Sequence, residues 1–81
     1  TPEAEMLNRE ILQTVEAAVA KLPEDLRKAI TLREMEGLSY EEIAQIMDCP
    51  IGTVRSRIFR AREVIAKDLR PLLDTSEDQR W

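Results

Sequence analysis

Four arginines, Arg55, Arg57, Arg60 and Arg62, fall within eight residues together with Phe59. The chemistry open to them is recognition rather than catalysis. A guanidinium can bridge two acceptors of a guanine, and an apolar ring can meet a thymine methyl. At about 100° per residue, Ser56, Phe59, Arg60 and Glu63 share one side of a helix. Arg55 and Arg62 flank that side along one edge and Arg57 along the other. Val54, Ile58, Ala61 and Ile65 form the opposite, apolar stripe, which must pack inward. A solvent-facing phenylalanine amid arginines adds nothing to a core, but it suits a helix that enters a DNA major groove. Within the helix Glu63 is the only acid before Asp68, and Lys67 competes with Arg60 for it. Most of these arginines therefore lack a local partner and are open to bases or phosphates.

The segment before this helix supplies the element that positions it. Ser39 stands three residues before Glu42, a capping-box pattern that starts a helix at Tyr40. Ile43, Ala44 and Met47 give that helix an apolar side. Asp48-Cys49-Pro50 interrupts it, because proline cannot continue a helix and biases Cys49 out of the helical region. A second helix begins near Ile51 to Thr53. Two short helices, a tight turn and a small Ala44 where they cross make a helix-turn-helix. Ser39 and Tyr40 lie at a helix N-terminus, where backbone N–H groups can hold a phosphate; simple capping by Ser39 is compatible with that role. Thr53 reads as an early-turn cap or a phosphate contact. Arg57 and Arg62 read as phosphate ligands or plain surface, and Phe59 could instead tuck against the first helix.

Upstream, Leu7, Ile11, Leu12, Val15, Ala18, Val19 and Leu22 recur mostly at spacings of three and four, predicting a helix over residues 4–21 with one buried face. Pro23, Glu24 and Asp25 open a second helix. Leu26, Ala29, Ile30 and Leu32 supply its apolar positions, and Gly37 stops it. The last helix should run to about Leu69, with Pro71 ending it. The expected architecture is all-α, a small four-helix domain ending in a helix-turn-helix. Its parts are a linker or edge at 1–5, the domain at 6–70 and a polar tail at 71–81. Arg33 is expected to pair with Glu36 or a neighbouring helix, Cys49 to be a small packed residue, and Met6, Met35 and Met47 to fill the core. Trp81, the last residue, reads as mobile.

Composition removes other classes. Histidine is absent and cysteine occurs once, so neither an internal disulfide nor a zinc site can form; a reducing, cytoplasmic setting is the simplest reading. The acid pairs Glu24/Asp25 and Glu41/Glu42 sit in first helical turns, where the helix dipole favours them, and not as catalytic dyads. There is no glycine-rich phosphate loop and no metal-ligand spacing, so no catalytic residue, metal or cofactor is expected. No apolar run of about 18 residues or signal-peptide pattern points to membrane insertion. Thr1 is no natural initiator, and the chain reads as a segment of something longer.

The net charge of −4 argues at first against nucleic acid, and its distribution answers the objection. Residues 1–49 carry five basic and eleven acidic side chains, residues 50–70 six and two, and residues 71–81 one and three. A basic helix on an acidic body can still bind phosphates, because charges beyond about 8–10 Å are screened at physiological salt. Affinity for arbitrary DNA should be weak, as in a domain tethered by something larger.

Three separated blocks carry a family resemblance: Leu22-Pro23-Glu24-Asp25-Leu26-Arg27; Leu32-Arg33-Glu34 with Gly37-Leu38-Ser39-Tyr40-Glu41-Glu42-Ile43-Ala44; and Gly52-Thr53-Val54-Arg55-Ser56-Arg57-Ile58-Phe59-Arg60-Ala61-Arg62. In this order they resemble the C-terminal region 4 of bacterial extracytoplasmic-function sigma factors, the sigma-E-like group most of all, over about residues 6–70. The resemblance implies recognition of a duplex −35 promoter element, a GGAAC-like sequence in that group, at stress-response promoters. Arg55, Ser56, Phe59 and Arg60 align with the family's base-reading face, the surface the helical wheel also selects. It further implies docking on the β flap of RNA polymerase core and sequestration by an anti-sigma factor. Region 2, which melts the −10 element in such factors, has no counterpart in these residues. The chain alone is expected not to start transcription. It is expected to be a monomer, since dimerisation on a palindrome would favour the rival reading of a response-regulator effector domain. A helical protein-interaction module without DNA readout is the other alternative.

Overall fold

The computed structural model describes residues 1–78, with side chains placed as far as Leu73. Its elements are four helices, α1 (Pro2–Lys21), α2 (Glu24–Glu34), α3 (Tyr40–Met47) and α4 (Ile51–Asp78). The all-α, four-helix expectation holds. The Thr1 hydroxyl accepts from the Ala4 N–H at 3.2 Å and Pro2 occupies the first turn. That cap starts α1 at Pro2, so the residues read as a linker form its opening turns. Leu22 turns extended ahead of Pro23 and ends it, as a residue before proline prefers. At the far end of α2, Gly37 adopts φ +69°, a left-handed conformation that glycine takes without steric cost. The chain reverses there, and the Leu38 N–H reaches back to the Leu32 carbonyl at 3.1 Å.

Helix α4 is the hub on which α1, α2 and α3 all pack. Its inward stripe is the one read from the wheel: Val54, Ile58 and Ala61 are buried and Ile65 half-buried. Leu22, Ala29, Ile30, Ile43 and Ala44 complete the cluster around them. Ala44 is buried on α3, where the helix-turn-helix reading wanted a small residue. Three expected core residues lie outside: Met6 and Leu12 are each 62% exposed and Met35 80%. Leu12 follows Ile11 by about 100° and falls off a stripe that has mainly α4 to cover it. Met35 sits at the C-cap of α2, beyond its packed turns.

The end of α4 departs from expectation. The helix passes through Pro71 to Asp78, although proline inside a helix costs about 3 kcal/mol. Tertiary packing overrides that cost. Leu69 and Leu72 are half-buried, Pro71 and Leu72 face Glu10, Thr14 and Ala17 of α1, and Lys21 pairs with Asp68 at 2.9 Å. The first residues of the supposed polar tail are thus helical; those from 79, Trp81 included, lie outside the described residues.

Candidate nucleic-acid interface

The turn that aims α4 begins with a complete capping box. The Ser39 hydroxyl accepts from the Glu42 N–H at 3.1 Å, and the Ser39 N–H donates to Glu42 Oε1 at 2.9 Å. The Ser39 N–H bond to the carboxylate holds the Glu42 carboxyl below the usual carboxylate range, with the Ser39 side chain adding to it. At the other end of α3, Asp48 takes φ 53° and ψ 55°, a left-handed conformation that aspartate tolerates better than most side chains. The N–H of Cys49 reaches the Ala44 carbonyl at 3.0 Å, and the Pro50 carbonyl accepts from Thr53 at 3.0 Å and Val54 at 3.2 Å. The chain is therefore reversed at Asp48, the first residue of the Asp48-Cys49-Pro50 segment that marked the turn in the sequence.

With Val54, Ile58 and Ala61 locked inward, the rest of α4 is placed. Ser56, Phe59 and Arg60 face solvent, Phe59 with 64% of its surface exposed; it does not tuck against α1. Among the described residues the Arg60 side chain has no hydrogen bond or ion pair. Arg55 lies with its guanidinium 5.8 Å from the centre of the Tyr40 ring, a cation–π distance. Arg62 Nη2 meets Glu34 Oε1 at 2.6 Å. Arg62 holds its proton more tightly than usual, chiefly through this hydrogen bond, with Glu34's charge and the Tyr40 hydroxyl adding to it. Tyr40, Arg55 and Arg62 thus gather on one flank, between the start of α3 and the middle of α4.

Arg57 leaves by the other edge. It is half-buried, with Nη1 3.6 Å from Cys49 Sγ and Nε 3.6 Å from Asp25 Oδ2. Thr53 is half-buried in the first turn of α4, and the Ser39 N–H is already committed to Glu42. The arginines lack local carboxylate partners as expected, but Arg57 and Arg62 find distant ones. Their carboxylates come from α2, more than 25 residues away in the chain, where no local spacing rule could find them. Arg33 is structural as expected, through the neighbouring helix rather than Glu36: its guanidinium lies 4.8 Å from the Tyr40 ring centre on α3, and its Nη1 donates to the Leu38 carbonyl at 2.8 Å.

Away from this face, an apolar groove of about 470 Å³ opens between α1, α2 and α4. Val15, Val19, Ala20, Ile30, Met35 and Ile65 line it, and Glu34 stands at its edge. Among the described residues no group of His, Cys, Asp and Glu could hold a metal ion, and no helix is long and apolar enough to cross a membrane.

The family model for sigma-70, region 4 matches residues 12–65, from the middle of α1 through the basic part of α4. The chain belongs to the sigma-70 region 4 family. It is 64% identical over 73 residues to the ECF RNA polymerase sigma-E factor of Haemophilus influenzae, covering 90% of this chain and 39% of that protein. It is 66% identical over 73 residues to the RNA polymerase sigma-H factor of Pseudomonas aeruginosa, covering 90% and 38%. With the sigma-E factor of Escherichia coli K12 the identity is 65% over 72 residues, covering 89% and 38%. This region 4 chain therefore spans about two fifths of the length of the curated relatives it matches.

Proposed function

We propose that this region 4 domain recognises the duplex −35 element of promoters, as part of an extracytoplasmic-function sigma factor that directs RNA polymerase. Its role is binding, not catalysis. Helix α4 enters the major groove. Arg55, Ser56, Phe59 and Arg60 read base edges, and Tyr40, Arg62, Thr53, Arg57 and the Ser39 end of α3 contact phosphates. The observation that carries this reading is the outward pair Phe59 and Arg60, solvent-exposed on a helix whose opposite stripe is core. An exposed ring beside an arginine that has no partner among the described residues serves no packing purpose, and both have complementary groups on a base pair. The flank of Tyr40, Arg55 and Arg62 supports the phosphate role on one side. Arg57 has to leave Asp25 to take part, which makes it the weaker member of the set.

The apolar groove suits the β flap of the polymerase, since contiguous exposed apolar surface marks an interaction site. An anti-sigma factor that covered this groove or the α4 face would silence the domain. We read the domain, over residues 6–70, as a monomer acting in the cytoplasm on stress-response promoters. The test is fluorescence anisotropy on a labelled duplex carrying a GGAAC-like element against a scrambled duplex, at two salt concentrations. Preference for the element is the expected result. Equal binding to both with a steep salt slope would reduce the role to phosphate contact, and flap binding without any DNA preference would favour a protein-interaction module.

A further inference from the structure

The geometry points to Glu34 as an internal stand-in for a DNA phosphate, holding Arg62 in the free domain and surrendering it when DNA binds. This inference rests on the DNA-binding reading above. The Glu34 carboxylate lies 2.6 Å from Arg62 Nη2, joining the last turn of α2 to the DNA-facing helix. Both side chains are half-exposed, at 52% and 53%. The pair is therefore reachable by a competing anion, and neither partner needs the other to escape burial. A buried pair could not be opened cheaply, because one charge would be left unsolvated. An exposed pair is worth little, so a phosphate oxygen, which matches the same guanidinium fork, can replace the carboxylate.

The neighbours fit that exchange. Arg55, two turns before Arg62 on α4, lies over the Tyr40 ring. Once Glu34 lets go, Arg62 remains on the same edge of α4 as Arg55, which reaches Tyr40 at the N-terminus of α3, where backbone N–H groups favour an anion. The opposite reading is that Glu34 merely aims Arg62 at the phosphate. The two readings predict opposite signs for the loss of the carboxylate.

The experiment measures anisotropy of labelled −35 and scrambled duplexes with the full 81-residue chain, comparing parent, Glu34→Gln, Arg62→Gln and the double variant. Glu34→Gln should bind both duplexes about two- to five-fold more tightly, the span an exposed pair of this kind allows. The ratio between the duplexes should stay unchanged, and the gain should shrink as salt rises. In the Arg62→Gln background the same change should have little effect. That separates release of Arg62 from the general removal of a negative charge, which would act equally in both backgrounds. Weaker or unchanged binding by Glu34→Gln would overturn the inference, as would an equal gain in both backgrounds, while a parent chain that prefers the −35 duplex kept the DNA reading intact. If no variant bound either duplex, the DNA reading itself would fall and this inference with it. Circular dichroism melts on all four chains check that each is folded.

Discussion

Replacing Arg33 by alanine should unfasten the loop that sets up α3. Its Nη1 donates to the Leu38 carbonyl at 2.8 Å, immediately before the Ser39 cap, and its guanidinium lies 4.8 Å from the Tyr40 ring centre. A hydrogen bond from a charged donor is worth about 1.5–3 kcal/mol, and a partly exposed cation–π contact about 0.5–1 kcal/mol. Because Arg33 is only half-buried, water recovers part of both, which puts the loss near 2 kcal/mol. That is a large share of the roughly 4–12 kcal/mol expected for a domain of this size. It corresponds to a melting point lowered by about 8–16 °C. Urea and thermal unfolding followed by circular dichroism measure it directly. Arg33→Lys keeps the charge but loses the planar fork, and should recover less than half of the deficit. A loss below about 0.5 kcal/mol for alanine, an ordinary surface value, would refute the reasoning, as would full rescue by lysine.

Arg60→Ala should cost about 1–3 kcal/mol of base discrimination, seen in competition anisotropy as flattened preference at one or two base pairs; an unaltered ranking of duplexes would remove Arg60 from the reading face. The capping box makes a pH prediction. Because the folded state lowers the Glu42 carboxyl's pKa, its stabilisation is present at neutral pH and is lost as pH falls through the folded value, below the usual carboxylate range. Urea midpoints measured at stepwise lower pH should therefore fall less steeply in Glu42→Gln than in the parent. Gly37→Ala should cost about 1–2 kcal/mol through its φ of +69° alone, since an added Cβ meets nothing within 4 Å; a neutral result in urea unfolding would mean the turn relaxes out of the left-handed region.

The outward face proposed to read bases was legible as a surface because its placement depends on local rules. Once Val54, Ile58 and Ala61 were assigned inward, helical geometry left Ser56, Phe59 and Arg60 no direction but out. The capping box was equally local, a three-residue relation between Ser39 and Glu42. What escaped the sequence was long-range. Glu34 and Asp25 reach Arg62 and Arg57 only because α2 packs on α4. Pro71 stops an isolated helix, yet α4 runs through it because α1 lies alongside. The turn at Asp48-Cys49-Pro50 was legible, but which of its residues is left-handed was not. Pro50 announces a break, but the residue that takes the left-handed conformation is decided by where Cys49 must bond, back to Ala44.

The acidic balance of the chain acquires a physical use from these same contacts. Specificity is a difference of affinities, and contacts to phosphate add equally to every sequence. On the proposed reading, an arginine held by a carboxylate contributes less to binding any duplex, whereas Arg60, which has no hydrogen bond or ion pair among the described residues, would bring its full contribution to the duplex whose bases it fits. Under that proposal, pairing Glu34 with Arg62 would lower binding to arbitrary DNA without reducing the preference among sequences. A domain arranged this way gains little by wandering on DNA alone. If a larger assembly held it beside the promoter, as proposed, its exposed ion pair would exchange more readily, because tethering turns the second contact into an intramolecular one.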